Sequence, residues 1–245
     1  MYSLANPQRF MSLSAKALPF FAAAAAILIA IGLYMGFTAP PDFRQGETVR
    51  IMYIHVPSAW LGMFAYVMIA ISGLGVLIWR HPLADVAAKA AAPLGAAFTF
   101  LALVTGSLWG KPMWGTYWQW DARMTSMLVL LFLYFGLMAL RGAIEDASRA
   151  SRLTAILALV GAINIPIIKF SVDWWETLHQ PASVFRMGGS TIHPDLLWPL
   201  AVMALGFTLL FVTLHIAAMR NEILRRKVLG VQLRRVDRAA AAVAT

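Results

Sequence analysis

Six apolar runs, each long enough to cross a bilayer, limit what this chain can become. They lie at about 17–37, 52–79, 87–109, 124–140, 153–170 and 196–219, the fourth and fifth being short. A transmembrane helix needs roughly 20 predominantly apolar residues. Inside a bilayer the backbone must satisfy its own polar groups, so such a run reads as helix. Hydrophobic residues make up 60% of the 245 and charged ones only 13%, beyond what a soluble domain of this length needs. The expected fold class is an all-α integral membrane protein with six transmembrane helices, one polytopic unit over residues 1–245. The first run follows Lys16 without a clean small-residue cleavage site and is read as a retained span rather than a signal peptide.

Orientation follows from lysine and arginine, which accumulate in cytoplasmic segments. With the N-terminus inside, the inner segments hold Arg9, Lys16, Arg80, Lys89, Arg141, Arg149 and Arg152. The tail over 220–245 adds Arg220, Arg225, Arg226, Lys227, Arg234, Arg235 and Arg238. Fourteen of the twenty basic residues then face inward, while Arg44, Arg50, Lys111, Arg123, Lys169 and Arg186 share the outer side with six of the eleven acids. Both termini are expected in the cytoplasm. There the basic tail meets membrane lipid or a partner subunit rather than nucleic acid. The span interiors carry almost no ionisable residue, unlike those of ion-coupled permeases. Lys169 and His215 lie near span ends, where snorkelling suffices. Asn164 and Pro166 form the one polar break, which a satisfied kink explains, and Gly32, Gly36 and Gly73 suit close helix packing. With no cysteine, thiolate metal sites and disulfides are excluded.

The outer connections span 38–51, 110–123 and 171–195. The middle one reads Trp114-Gly115-Thr116-Tyr117-Trp118-Gln119-Trp120-Asp121-Ala122-Arg123, with three tryptophans and a tyrosine in seven residues. Aromatic rings settle at membrane interfaces, but this density suits a platform for something flat and apolar. His55, His179 and His193 face the same side, whereas His81 and His215 belong to the inner side. Each outer histidine also fits a plain hydrogen-bonding role. Two imidazoles from different connections beside an aromatic floor match what haem requires, ring contact and axial nitrogen ligands. Zinc would need ligands clustered at short spacing, and neither a catalytic triad motif nor a glycine-rich phosphate loop is present. Arg50 and Arg123 are candidate partners for the haem propionates, since guanidinium binds carboxylate bidentately. Asp121 can fix Arg123, cap the following span or orient a Trp N–H. Trp174 and Trp175, just before His179, can cover a ligand or anchor the interface.

The segment 114–123, the Arg50 to His55 spacing and the Trp174-Trp175-x-x-x-His179 segment together resemble the tryptophan-rich WD signature of the haem-handling membrane proteins of cytochrome c biogenesis. Chain length, span number and flanking histidines are most similar to the haem exporter protein C family of the cytochrome c maturation system, up to the basic tail. The resemblance implies haem b held at the periplasmic face of the bacterial inner membrane, with His55 and His179 as axial ligands to the haem iron. It further implies a lining of Trp114, Gly115, Tyr117, Trp118, Trp120 and Asp121. Haem then passes to a periplasmic haem chaperone, within an ABC-transporter-like complex that holds an ATPase, a membrane subunit and a small single-span subunit. This implies a haem-delivery and binding protein more than a classical enzyme, one that promotes covalent haem attachment to the chaperone. Position 117 is Tyr where relatives often have Trp, which preserves stacking. The alternatives are a cytochrome c haem lyase, which would need further histidines within the spans, and a permease exporting haem.

Overall fold

The computed structural model describes residues 6–181, 183–184 and 186–243, without the side chains of 236–239 and 241–243. Arg238 therefore lies outside the described side chains, as do the last two residues of the tail. Helix α1 is Pro7–Thr38, α2 Met52–Trp79, α3 Pro82–Trp114, α4 Ala122–Ala143, α5 Ala147–Gly161, α6 Asn164–Trp174 and α7 Pro194–Val243. Six stretches are long and apolar enough to cross a membrane, α5 and α6 forming one of them. This is a multi-pass membrane protein. Among the described residues the only extended pairing is a bridge between Asp42 and Gly46.

Local chemistry sets the helix ends. The Asn6 side chain accepts the Gln8 N–H at 2.8 Å ahead of Pro7, whose missing donor costs nothing at a helix start. Arg80 closes α2 in the left-handed region at φ 48°, and His81 Nδ1 then caps α3 by accepting the Ala84 N–H at 3.3 Å. The Asp146 side chain caps α5 at 2.6 Å. Several helices outrun their apolar runs: α3 starts at Pro82 and ends at Trp114, and α7 continues to Val243. Leaving the apolar layer does not break a helix when Arg, Leu and Ala follow.

The fifth span is broken where the polar pair sits. Pro166 has no N–H to return to the Ala162 carbonyl, which instead accepts from Ile165 at 3.0 Å. The Asn164 amide donates to the Ser126 carbonyl of α4 at 2.9 Å, so the break is tied to its neighbour.

The core lies where α2, α3, α4 and α7 meet. Tyr66 and Tyr134 are wholly buried and meet edge to face at 5.2 Å. Tyr134 donates to the Gly62 carbonyl at 2.6 Å and passes over Gly95, where a Cβ would stand 2.1 Å from its Oη. Gly32 and Gly36 receive Met203 of α7 and Tyr53 of α2. Phe20, Ile71 and Phe132 point outward, as lipid-facing residues do.

One end of the bundle carries the connections 80–81 and 144–146 and the last part of α7. There Asp85 accepts from Arg141 at 2.6 and 2.8 Å, from Ser151 at 2.6 Å and from Arg226 at 2.5 Å. Glu222 takes Arg225 at 2.8 Å, Arg226 at 2.7 Å and Lys89 at 2.9 Å. Arg220 reaches the Met11 carbonyl at 2.6 Å and Ser14 Oγ at 2.8 Å. The basic tail is thus not free from its first residue: two of its cations, Arg220 and Arg226, fasten α7 to the bundle, and Lys227, Arg234 and Arg235 are exposed. His215 also departs from its expected snorkelling position. It is 7% exposed, stacked on Phe211 at 5.6 Å, and its Nδ1 has no hydrogen-bond partner among the described residues.

Candidate functional site

The opposite end carries the connections 39–51, 115–121 and 175–193, and with them the predicted site residues. A 3-10 turn, Glu47–Ile51, feeds directly into α2 and places His55 one turn inside that helix. Pro57 lies beyond the first turn, fully buried, rather than at the helix start. His55 Nδ1 is 3.0 Å from the Ala102 carbonyl and 3.2 Å from Thr105 Oγ1, both on α3. A carbonyl only accepts, so Nδ1 carries the proton and Nε2 keeps its lone pair. Thr105 spends its own hydroxyl proton on the Leu101 carbonyl at 2.7 Å. Gly106 makes room for the ring, since a Cβ there would stand 2.8 Å from His55 Cε1. Trp109 meets the imidazole edge-on at 5.7 Å, and its N–H donates to Gln45 Oε1 at 2.9 Å, tying the first connection to this seat.

Trp114 ends α3 because Gly115 takes φ 78°, a left-handed C-terminal position that suits glycine. The Thr116 hydroxyl donates to the Trp118 carbonyl at 2.9 Å and turns the chain. Trp118 and Trp120 meet edge to face at 5.3 Å. Trp118 is half-buried and its indole N–H has no partner among the described residues, while Trp120 is exposed. Tyr117 is exposed too, with the Lys111 ammonium over its ring at 5.3 Å.

Asp121 joins the two outer connections. Its Oδ1 accepts the Met124 N–H at 2.7 Å, capping α4, and its Oδ2 accepts from His179 Nδ1 at 3.1 Å and from the Leu178 N–H at 3.3 Å. Of the roles open to Asp121, capping is realised and the orientation falls on an imidazole rather than an indole. His179 presents an edge-on contact to Trp114 at 4.9 Å. Its Nδ1 proton faces a carboxylate, so Nε2 again keeps a lone pair. Burial pulls the His179 pKa below the ordinary histidine value and Arg123 adds to the shift, while Asp121 works against it. His55 and His179 lie close enough to act on each other electrostatically, and Arg123 acts on both.

The remaining candidates make their own contacts elsewhere. Arg123 is folded across to α6: its Nε donates to Ser171 Oγ at 3.2 Å, and Nη2 reaches the carbonyls of Ile168 at 3.4 Å and Lys169 at 3.3 Å. Arg50 pairs with Glu47 at 2.6 Å, donates to the Ala39 carbonyl at 3.2 Å and lies 5.4 Å from the Phe37 ring centre. Its Nε is buried without a partner among the described residues. Trp174 stacks on Phe170 at 5.4 Å and meets Trp175 edge-on at 5.7 Å. His193 caps α7, accepting the Asp195 N–H at 3.4 Å. Sequence reasoning missed Ala102, Thr105 and Gly106, some fifty residues beyond His55, and Gln45, which meets Trp109 from the first connection; nothing in their spacing links them to that histidine.

Comparison with known proteins gives this geometry its setting. The family model described as haem exporter protein C matches residues 1–234. The chain belongs to the haem exporter protein C family. It is 66% identical to the haem exporter protein C of Bradyrhizobium diazoefficiens over 240 residues, covering 98% of this chain and 91% of that one. It is 47% identical to that of Escherichia coli K12 over 225 residues, 91% of each. The protein of Paracoccus denitrificans is 42% identical over 240 residues, 98% of this chain and 99% of its own length. In this haem exporter C family member the two imidazoles, the carboxylate and Trp114 come from three separate connections or helix ends that the bundle brings to one end.

Proposed function

We propose that the chain binds haem b between His55 and His179 and delivers it for cytochrome c maturation. The observation that carries this reading is that both imidazoles are held by hydrogen bonds at Nδ1, leaving both Nε2 lone pairs for iron. Hydrogen-bond partners behind the coordinating nitrogen fix ring orientation and raise ligand basicity. The donor set fits haem: two neutral nitrogens beside an indole-rich segment. When bound, haem supplies the iron and the vinyl groups; the protein orients, stacks and shields. Trp114 and Trp118 supply ring surface, with Gly115, Tyr117 and Trp120 at the margin and Asp121 holding His179. Trp174 and Trp175 form a second aromatic surface that covers the cargo.

Arg50, with an unspent Nε–H, is the better propionate partner. Arg123, occupied with α6 carbonyls, contributes positive potential from behind. The positive-inside bias supports a site facing the periplasm of the inner membrane with both termini in the cytoplasm. From that face a periplasmic haem chaperone receives the cargo. Energy comes from an ATPase in an ABC-type complex with its membrane and small single-span subunits, a reading with which the lack of an ATP-binding motif in this chain is consistent. The test is a visible spectrum of the purified protein loaded with haem. Bis-imidazole Soret and α bands are expected, absent from the His55→Ala, His179→Ala double variant. Unchanged bands in that variant would overturn the assignment.

A further inference from the structure

The bundle contains a second feature at the end remote from His55 and His179. A cavity of about 320 Å³ opens between α2, α3, α4 and α5. Its walls are aliphatic: Ile69, Val76, Ala92, Leu137 and Ala155. Its lip is polar, formed by Asp85, Lys89, Arg141 and Ser151. Pro93 and Gly142 line it as well and are exposed, so the cavity opens toward the bundle surface between α3 and α4.

The charges at the lip and on the adjoining stretch of α7 do not cancel. Asp85 and Glu222 provide two negative charges, and the cations hydrogen-bonded to them are Arg141, Arg226, Arg225 and Lys89. Two positive charges remain in excess. Pro93 also lacks the N–H that would reach the Lys89 carbonyl in a continuous helix, leaving an acceptor beside the lip. Basic pockets between transmembrane helices at the inner surface suit anionic lipid head groups. The walls offer no aromatic face and no histidine, so a flexible acyl chain fits them better than a rigid flat ring.

We infer that this cavity is a binding site for one anionic phospholipid, its head group at Lys89 and Arg141 and the start of an acyl chain against the aliphatic wall. Bound there, the lipid braces α3, α4 and α5, which the Asp85 cluster already links. The inference does not depend on what the histidine end binds.

The absence of cysteine provides a clean test. Gly142→Cys places a thiol at the mouth, where an added Cβ meets no atom within 4 Å. Ala147→Cys places a control thiol on the same end, exposed and outside the cavity lining. Full-length protein in neutral detergent is labelled with a maleimide while phosphatidylglycerol, phosphatidylcholine or inorganic phosphate is added. Phosphatidylglycerol is expected to slow labelling of Gly142→Cys several-fold and leave Ala147→Cys unchanged, with no effect from the other two additions. Adding Lys89→Gln is expected to abolish the protection, and so is Ala88→Phe, which fills the cavity. Equal protection by phosphatidylcholine or by phosphate would overturn the proposal. So would protection that survives both added substitutions, since it would place the lipid on the exposed cations of α7.

Discussion

Asp121 holds His179 with one carboxylate oxygen at 3.1 Å and caps α4 with the other at 2.7 Å. One side chain therefore sets the start of a membrane helix and the tautomer of a candidate ligand. Asp121→Asn separates the two tasks, because asparagine caps as well as aspartate but cannot accept from Nδ1 as a carboxylate does. The helical content of the variant is expected to match the wild type by circular dichroism. Haem affinity, read by Soret titration, is expected to fall about 10–100-fold, the usual cost of losing such a partner. Unaltered affinity would show that the carboxylate serves α4 alone.

Gly106→Ala tests the seat of His55. The added methyl would stand 2.8 Å from Cε1, too close to be accommodated without moving the ring. Overpacking of this kind costs about 1–3 kcal/mol, so the protein still folds. The expected signature is a shift of the haem spectrum from six-coordinate low-spin toward five-coordinate high-spin, with the thermal midpoint lowered only modestly. A low-spin spectrum identical to wild type would remove Gly106 from the site.

The pH dependence has a definite sign. Burial lowers the His179 pKa, so the unfolded chain takes up a proton at higher pH than the folded one. Between those two pKa values the unfolded state binds more protons, and stability rises with pH across that window. Haem retention is expected to hold as pH falls through the ordinary histidine value of about 6.5 and to fail below it. Retention spectra and melting curves in steps of pH measure both. Loss centred above the ordinary value would contradict the burial argument.

At the other end, Asp85→Ala strands Arg141, whose side chain is only 16% exposed. Removing one partner of a buried ion pair costs about 3–5 kcal/mol, because the remaining charge is uncompensated. A large drop in thermal midpoint is expected while the haem spectrum of the surviving folded fraction stays unchanged. Altered haem bands would mean that the two ends are conformationally coupled.

The six spans were legible because each apolar run is long, and the kink was legible because Pro166 cannot donate. The clustering of Trp114, Asp121 and His179 at one end followed from their placement between spans. Which nitrogen of each histidine is engaged was not legible, since that depends on Ala102 and Asp121 arriving from other elements. Arg123 reads from sequence as a free outward cation, yet the break between α5 and α6 brings the α6 carbonyls of Ile168 and Lys169 within its reach. The continuation of α7 was legible from composition rather than hydropathy: hydropathy registers only the apolar layer, whereas the Arg-, Leu- and Ala-rich tail reads as helical through about 238 because continuation depends on propensity.

Pinning each imidazole at Nδ1 also restricts how any metal held at Nε2 departs. A ring tethered to a backbone carbonyl within a helix, or to a capping carboxylate, cannot simply swing away. If His55 and His179 hold haem as proposed, its handover would require either a donor that replaces one imidazole or a movement of the segment bearing His179. Of these two imidazoles, only that of His179 sits on a connection, outside any helix. On the proposed function His55 would be the fixed post and His179 the latch.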